Sequence, residues 1–210
     1  MVKHLYLVRH GETEFNLAGV IQGGGLDSPL TEKGHRQAVK LGEYLRSNSF
    51  ICDYIFASPL GRTMETARLA VSGLGRDIIT DDLLKEIDCG DFEGRKIADI
   101  DLEKLYRLRV DPKEKYPKGE SVEDVRVRAE RFIRGLKDYP GESAIIFSHG
   151  NFLRSFAAAA AGLSSEFSMK IYIENGALCY LFKSSEHYRI SVWNFTGHYA
   201  PFPKKIETSG

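Results

Sequence analysis

Short apolar runs alternate along this chain with longer segments in which apolar residues recur at helical spacing. The short runs are rich in Leu, Ile, Val, Tyr and Phe, a composition typical of β-strands. They occupy residues 4–8, 54–57, 78–80, 144–147, 177–182 and 189–193, and a Ser184-Ser185 turn separates the last two. Strands that alternate with helices predict an α/β fold with a mostly parallel central sheet.

Capping residues indicate where the intervening helices begin. Helices are predicted after Thr31, from Ser58-Pro59 to about residue 70, from Ser121 towards residue 138, and over residues 151–161. Ser58-Pro59 has the pattern of an N-cap followed by a proline at the first helical position, and Ser121 with Asp124 resembles a capping box. Helices on both faces of the sheet predict a three-layer α/β/α architecture, and the 210 residues suit a single domain, 1–210.

The segment at residues 92–118 does not follow this alternation. It is charged, contains tyrosines and includes Pro112 and Pro117. Insertions of this kind often form lids or specificity loops, which predicts that residues 92–118 help to select the substrate. The alternative is a solvated helical excursion without a role at the site.

Charge and cysteine content exclude several classes of protein. Lys plus Arg and Asp plus Glu each number 29, so no excess positive charge favours nucleic-acid binding. The three cysteines are far apart in sequence and predict neither a disulfide framework nor a zinc site. No apolar run is long enough for a signal peptide or a membrane span, so a cytoplasmic protein is expected.

Two strands end in the same pattern, an apolar run followed by a polar residue, His and Gly. The first places His10 and Gly11 after residues 4–8, and the second places His149 and Gly150 after residues 144–147. Ligands of open α/β sheets bind beyond the carboxyl ends of the strands, so both histidines are expected at one site. The glycines are expected to let backbone amides approach an oxyanion.

Arginines near these strand ends indicate the class of substrate. Arg9 precedes His10, and Arg62 lies at about the fourth position of the helix predicted from Ser58-Pro59. The guanidinium group matches the oxygens of phosphate better than an ammonium group does. These residues predict a phosphate pocket made of arginines and histidines.

A carboxyl group is also expected at this pocket as a general acid. Glu86 follows a short apolar run, although Asp88, Asp91 and Glu93 compete with it for this role. The sequence has no P-loop, no HExxH motif and no GxSxG motif. No metal ligand set and no cofactor motif is found, so neither a metal nor a cofactor is expected.

At this point the motifs resemble those of the histidine phosphatase superfamily, also called phosphoglycerate-mutase-like. The resemblance covers nearly the whole chain. It rests on Arg9-His10-Gly11, Asn16, Gln22-Gly23, the SPLGRT run at 58–63, Glu86 and Ser148-His149-Gly150. The resemblance implies the phosphoglycerate-mutase-like fold and an enzyme that moves or removes phosphoryl groups.

The resemblance also implies a role for each site residue. His10 would attack phosphorus and become phosphohistidine, while Arg9, Arg62 and His149 would hold the phosphoryl oxygens. Glu86 would exchange protons with the leaving alcohol and with water. Gly11, Asn16, Gln22, Gly23 and Gly150 would complete the substrate-binding set.

Phosphatases and mutases both occur in this superfamily, and the resemblance favours a small phosphatase. Residues 92–118 are shorter than the basic insertion usual among the mutases, which leaves mutase-type phosphoryl transfer as the alternative. Phosphoserine, α-ribazole phosphate, sugar phosphates and phosphoglycerates are candidate substrates, and Cys89 replaces a histidine of the phosphoserine enzymes. The expected partner is a small-molecule phosphoester, with a homodimer left open. A catalytically inactive phosphoester-binding protein is the remaining alternative.

Overall fold

One six-stranded sheet forms the centre of the computed structural model, which describes residues 2–199. The strands are β1 (His4–Arg9), β2 (Tyr54–Ala57), β3 (Ile78–Thr80), β4 (Ser143–Ser148), β5 (Leu178–Lys183) and β6 (Tyr188–Phe195). They lie in the order β3-β2-β4-β1-β5-β6. The pairs among the first four strands of this order are parallel, whereas β5 and β6 are antiparallel to their neighbours. The prediction of a mostly parallel sheet is confirmed.

Helices cover both faces of the sheet. They are α1 (Glu14–Leu17), α2 (Glu32–Ser47), α3 (Gly61–Ala70), α4 (Leu102–Val110), α5 (Val122–Gly135), α6 (Gly150–Ala160) and α7 (Ser165–Ser168). Short 3-10 turns occupy Asp82–Leu84, Gly90–Phe92, Ile97–Asp99 and Leu136–Asp138. The short helices α1 and α7 were not predicted, because one turn of helix carries too few residues for a periodic pattern. None of the helices in the described part of the chain is long and apolar enough to span a membrane.

Alternate residues of each strand point to opposite faces and divide the core into two layers. One cluster includes Leu5, Leu7 and Ile146 and packs towards α5 and α6, the latter through Phe152. The other includes Val8 and joins its face of the sheet to residues of α2 and α3. Because each layer buries a separate face of the same sheet, the predicted α/β/α architecture is confirmed.

Two of the predicted helix starts are confirmed by their caps. The Thr31 side chain accepts the N–H of Gly34 at 3.0 Å, and α2 begins at the next residue. Ser121 and Asp124 form a reciprocal capping box at the start of α5. Both caps are local hydrogen bonds, which is why a short stretch of sequence predicts them.

The predicted start at Ser58-Pro59 is wrong, because α3 begins at Gly61. The Ser58 hydroxyl lies 2.8 Å from Nε2 of His149 and forms no cap for this helix. Instead Asp27, from a distant loop, accepts the N–H of Arg62 at 3.3 Å. Arg62 is therefore the second residue of α3 rather than about its fourth.

The parallel pairing of β1 with β4 brings the two histidine motifs together. Arg9 pairs with Ser148 at the last position of the ladder, and the N–H of His10 donates to the Ser148 carbonyl at 3.0 Å. His10 and His149, one residue beyond each strand, consequently lie at the same sheet edge. The expectation from the two strand-end patterns is confirmed.

Close backbone packing between Gly11 and Gly34 fixes the loop after β1 against α2. A methyl group on Gly34 would lie 2.1 Å from the Glu12 carbonyl oxygen, so Gly34→Ala should lower the free energy of unfolding by about 1–3 kcal/mol. Urea denaturation measures this change. Gly135→Ala is the control: no atom lies within 4 Å of its added methyl group, and helix propensity should raise stability by up to ~1 kcal/mol. Equal stability of the two variants would contradict the packing argument.

Candidate active site

His10 lies at the bottom of a cavity of about 600 Å³ and is 3% exposed. Its Nδ1 is 2.8 Å from the Gly11 carbonyl oxygen. A carbonyl oxygen only accepts hydrogen bonds, so Nδ1 carries the proton of the neutral ring. The lone pair of the neutral imidazole is therefore on Nε2, which makes Nε2 the nucleophilic atom.

Burial and nearby positive charge keep the His10 ring neutral. Burial has the largest effect, followed by Arg62 and Arg9, and together they lower the pKa of His10 well below its usual range. The Gly11 hydrogen bond opposes this shift. A neutral ring is what a nucleophilic role requires, because protonation would occupy the Nε2 lone pair.

His149 lies beside His10, with ring centroids 5.2 Å apart. Its Nε2 is 2.8 Å from Ser58 Oγ and 3.2 Å from Thr63 Oγ1, so two hydroxyl groups fix the ring. Burial, followed by the charge of Arg62, lowers the pKa of His149 well below its usual range. Its Nδ1 is buried and has no hydrogen-bond partner.

Arg62 and Arg9 reach the cavity from different elements. The Arg62 guanidinium donates to the carbonyls of Leu26 at 2.8 Å and Gly23 at 2.9 Å, and pairs with Asp27 at 2.9 Å. Arg9 donates from Nη1 to the Ile173 carbonyl at 2.7 Å. Burial lowers the pKa of Arg9, because a charged group is less stable away from water.

Three buried nitrogens around His10 lack hydrogen-bond partners: Arg9 Nε, Arg62 Nε and His149 Nδ1. Buried polar atoms in folded proteins are nearly always paired, so each exception needs an explanation. The two guanidinium nitrogens are obligate donors, and the imidazole Nδ1 becomes one in the matching tautomer. An oxyanion between these groups would satisfy all three.

Glu86 is the carboxyl group that lines the cavity. Its Oε1 accepts the N–H groups of Ile87 at 2.9 Å and Phe152 at 3.0 Å, and its Oε2 accepts the N–H of Asn151 at 3.1 Å. Three backbone N–H groups thus hold the carboxyl group at the N-terminus of α6.

The competing acids have other partners. Asp88 accepts the N–H of Gly90, Asp91 pairs with Lys118, and Glu93 accepts the N–H groups of Gly25 and Cys89. None of the three competitors lines the cavity.

The remaining predicted substrate-binding residues divide into two groups. Asn16, Gln22, Gly23 and Gly150 line the cavity. Gly11 does not line it, and its N–H donates to Thr66 Oγ1 at 3.0 Å. The expectation that the Gly11 amide faces an oxyanion is therefore corrected: its N–H binds α3, and its carbonyl orients His10.

Asn16 and Gln22 also organise the loop that they belong to. Asn16 Oδ1 accepts the Thr13 N–H at 3.2 Å, and Gln22 Nε2 donates to Thr13 Oγ1 at 2.7 Å. Asn175 reaches the same loop by donating to Asn16 Oδ1 at 3.1 Å. Thr13 ends the Arg9–Thr13 run that resembles the family signature, although no role was predicted for it. Asn175 was not predicted, and no local motif marks it.

The outer cavity wall comes in part from residues 92–118, the segment predicted to help select the substrate, and in part from residues that were not predicted. Helix α4 and the residues around it contribute Ile97, Leu105, Leu108, Arg109 and Tyr116, and α6 contributes Asn151, Arg154 and Ser155. A signal for Arg154 was available, because it lies four residues after Gly150 and so shares its helix face. Helix α4 lies within the segment 92–118 singled out from sequence, but which of its residues face the cavity is a tertiary property.

Cys89 and His198 lie in defined surroundings. Cys89 is buried at the cavity wall, and burial raises the pKa of its thiol, so the neutral form is favoured. His198 lies 3.1 Å from the Gly176 carbonyl oxygen and is not a cavity residue; burial lowers its pKa to about 4. Within residues 2–199, no cluster of three or more His, Cys, Asp or Glu side chains forms a metal-binding group.

The opposite pKa directions of His10 and His35 give a test by imidazole ¹⁵N NMR. His35 is partly exposed, and its hydrogen bonds to the Thr31 carbonyl and Glu65 raise its pKa. At pH 6, His35 should be protonated while His10 remains neutral with its proton on Nδ1.

The same lowered pKa values predict how the stability of the fold depends on pH. Histidines of the unfolded chain titrate near pH 6.5, whereas His10 and His149 stay neutral in the folded protein. Acidification through pH 6.5 should therefore lower the free energy of unfolding. Titration of His10 near pH 6.5 would contradict this electrostatic account.

Comparison with known proteins places this geometry in a family. The chain is 34% identical over 198 residues to the "Probable phosphoglycerate mutase GpmB" of Cronobacter sakazakii, which covers 92% of this chain and 88% of that protein. The solved mycobacterial glucosyl-3-phosphoglycerate phosphatase, complexed with VO3, superposes with a TM-score of 0.84 at 28% identity, over 92% of this chain and 99% of that one.

A second solved structure, the α-ribazole phosphatase of Shigella flexneri, superposes with a TM-score of 0.82 at 29% identity and covers 92% of this chain and 96% of that one. The sequence model of the histidine phosphatase superfamily (branch 1) matches residues 5–196. The chain belongs to the histidine phosphatase superfamily.

Proposed function

We propose that this protein is a metal-independent phosphatase of small phosphorylated metabolites, acting through a phosphohistidine on His10. One observation carries the proposal: His10, with its Nε2 lone pair free, shares a cavity with Arg9 and Arg62 and lies beside His149, and each of these three neighbours has a buried nitrogen without a partner. A phosphoryl group presents the oxygens that such donors bind.

In the first step, Nε2 of His10 attacks phosphorus and the bond from phosphorus to the ester oxygen breaks. Arg9, Arg62 and His149 stabilise the charge on the three non-bridging oxygens as the phosphoryl group moves. Glu86 gives a proton to the departing alkoxide, so that the alcohol leaves uncharged. The arginines supply the positive charge that a metal ion supplies in other phosphoryl-transfer enzymes.

In the second step, water attacks phosphorus and the bond from Nε2 to phosphorus breaks. Glu86, now ionised, takes a proton from the water, and inorganic phosphate leaves. His10 returns to its neutral state, which burial and the two arginines favour. The proton stays on Nδ1, which donates to the Gly11 carbonyl throughout, so Nε2 is available in every cycle.

The comparisons support hydrolysis of phosphoric monoesters. Two of the solved structures that superpose on this chain are named as phosphatases, one for glucosyl-3-phosphoglycerate and one for α-ribazole phosphate. Both substrates named there are small phosphoesters. We infer the same general class for this chain, without assigning it either compound.

We also propose that residues 92–118 help to select the substrate. Ile97, Leu105, Leu108 and Arg109 from this segment line the cavity, as does Tyr116. Tyr106, the other tyrosine of this segment, is 65% exposed and does not line the cavity. The segment therefore contributes to the outer wall, where the alcohol part of a phosphoester would lie.

Release of inorganic phosphate in the presence of EDTA tests the proposed function. Against a panel of phosphoesters, His10→Asn should lower turnover by at least ~10³-fold, because the nucleophile is lost. His35→Asn is the control, since His35 is a partly exposed histidine outside the cavity and should retain full activity. A requirement for added metal, or turnover that survives in His10→Asn, would refute the mechanism.

Mutase-type phosphoryl transfer is the second candidate, favoured by the name of the Cronobacter sakazakii relative. A mutase would return the phosphoryl group from His10 to an alcohol rather than to water. With 3-phosphoglycerate labelled at phosphorus, a phosphatase releases labelled phosphate, whereas a mutase converts the compound to its isomer with little release. The phosphatase is expected to give mainly phosphate.

A further inference from the structure

The segment that carries Glu86 lies between two cavities. Residues 85–89 belong to no helix or strand and connect the 3-10 turns Asp82–Leu84 and Gly90–Phe92. Glu86 lines the cavity that contains His10 and also a second cavity of about 300 Å³. A segment with open space on both sides has few packing contacts to fix it. Hydrogen bonds are therefore the main interactions available to set the position of Glu86.

Arg128, on α5, binds the backbone of this segment at three carbonyl groups. Its Nη1 donates to the carbonyls of Leu83 at 2.8 Å and Lys85 at 2.7 Å, and its Nη2 donates to the Glu86 carbonyl at 3.2 Å. The Arg128 side chain is 15% exposed, so these hydrogen bonds are largely shielded from water and correspondingly strong. One guanidinium group thus fixes the backbone that leads into Glu86.

Glu120 fixes Arg128 and also the backbone that follows Glu86. Its Oε1 accepts Nε of Arg128 at 3.1 Å, and its Oε2 accepts Nη2 at 2.8 Å, a bidentate arrangement with a defined geometry. Glu120 Oε2 also accepts the N–H of Asp88 at 3.0 Å, and the Glu120 N–H donates to the Asp88 carbonyl at 2.9 Å. The Glu120–Arg128 pair therefore binds backbone groups on both sides of Glu86.

Arg128 also contacts the helix that binds the Glu86 carboxyl group. Its guanidinium carbon lies 5.3 Å from the centre of the Phe152 ring, within the range of a cation–π contact. The Phe152 N–H donates to Glu86 Oε1 at 3.0 Å. Arg128 thus connects the backbone of Glu86 with a residue whose amide orients the Glu86 carboxyl group.

Arg126 differs from Arg128, although both lie on α5. Arg126 pairs with Glu123 and Glu130 of its own helix, and it lines neither cavity. The hydrogen bonds of Arg128 described above all go to residues outside α5. The comparison indicates that Arg128 joins the Glu86 segment to the rest of the fold, whereas Arg126 stabilises a helix surface.

We propose that Glu120 and Arg128 are positioning residues, which hold the Glu86 carboxyl group where it can give a proton to the leaving alcohol. This inference rests on the proposed phosphatase function, because the pair acts through the proton donor assigned there. Neither Glu120 nor Arg128 lines the cavity that contains His10, so neither is placed to touch the phosphoryl group. Proton transfer depends on close contact between donor and acceptor, and a displacement of ~1 Å can cost about 10²-fold in rate.

A series of uncharged leaving groups tests this role. p-Nitrophenyl, phenyl and benzyl phosphate differ in how much the departing oxygen needs a proton: least for p-nitrophenolate and most for the benzyl alkoxide. The kcat/KM value reports the steps up to departure of the leaving group, which include proton donation. The ratio of kcat/KM between benzyl and p-nitrophenyl phosphate, measured on one preparation, does not depend on the folded fraction. Partial unfolding of a variant therefore cannot change this ratio.

The ratio should fall in every variant that removes or displaces the proton donor. Glu86→Gln should lower it by ~10²-fold or more, and Arg128→Gln by about 10-fold or more. Glu120→Gln should lower it by a smaller factor. Arg128→Lys, which keeps the charge but loses the planar fork, should restore part of the ratio. Arg126→Gln is the matched control on α5 and should stay within about 3-fold of wild type.

A double variant tests whether Arg128 acts through Glu86. Arg128→Gln combined with Glu86→Gln should give the same ratio as Glu86→Gln alone, because the proton donor is already absent. An additive loss in the double variant would overturn the inference. Equal losses on all three substrates in Arg128→Gln would also overturn it, since they would show a general structural role.

Two further outcomes separate this inference from the proposed function. A ratio in Glu86→Gln equal to that of wild type would show that Glu86 donates no proton, and would overturn the inference while leaving a histidine phosphatase. Absence of His10-dependent turnover of p-nitrophenyl phosphate by the wild type would instead refute the phosphatase function, and this inference with it.

Discussion

The parallel pairing of β1 and β4 at the centre of the sheet is the constraint on which the site depends. Its register ends with Arg9 beside Ser148, so the chain leaves both strands at the same level and places His10 next to His149. Strands β5 and β2 flank this pair and bury it on both sides, which gives the two rings rigid support. A shift of one residue would turn every side chain of β1 to the opposite face and separate the histidines.

Two arginines, Arg9 and Arg62, surround the imidazole rings of His10 and His149. Their positive charges repel one another and also affect the rings. Burial, followed by the charges of Arg62 and Arg9, lowers the pKa of both rings and keeps them in the neutral form. Asp27 compensates Arg62 and also caps α3, so one carboxylate from the loop after α1 fixes the guanidinium and the helix that carries it. The same positive charge is available to the phosphoryl oxygens, which makes the arrangement suited to an anionic ligand.

Elements with local signals were predictable from sequence, and those defined by distant contacts were not. Apolar runs identified all six strands of the described sheet, and the caps at Thr31 and Ser121 identified helix starts. The helix start predicted at Ser58 was wrong because the Ser58 hydroxyl contacts His149, which is 91 residues away in sequence. Motif resemblance found the residues nearest His10, but Arg154 and α4 reach the cavity only through packing.

The unpartnered nitrogens around His10 have a consequence for the end of the catalytic cycle. Under the proposed mechanism they would bind the phosphoryl oxygens, and the final product presents the same kind of oxygens as the starting ester. Any affinity gained equally by substrate and product slows the departure of the product without speeding the reaction. Under the proposed mechanism, inorganic phosphate would therefore compete with the substrate for these nitrogens.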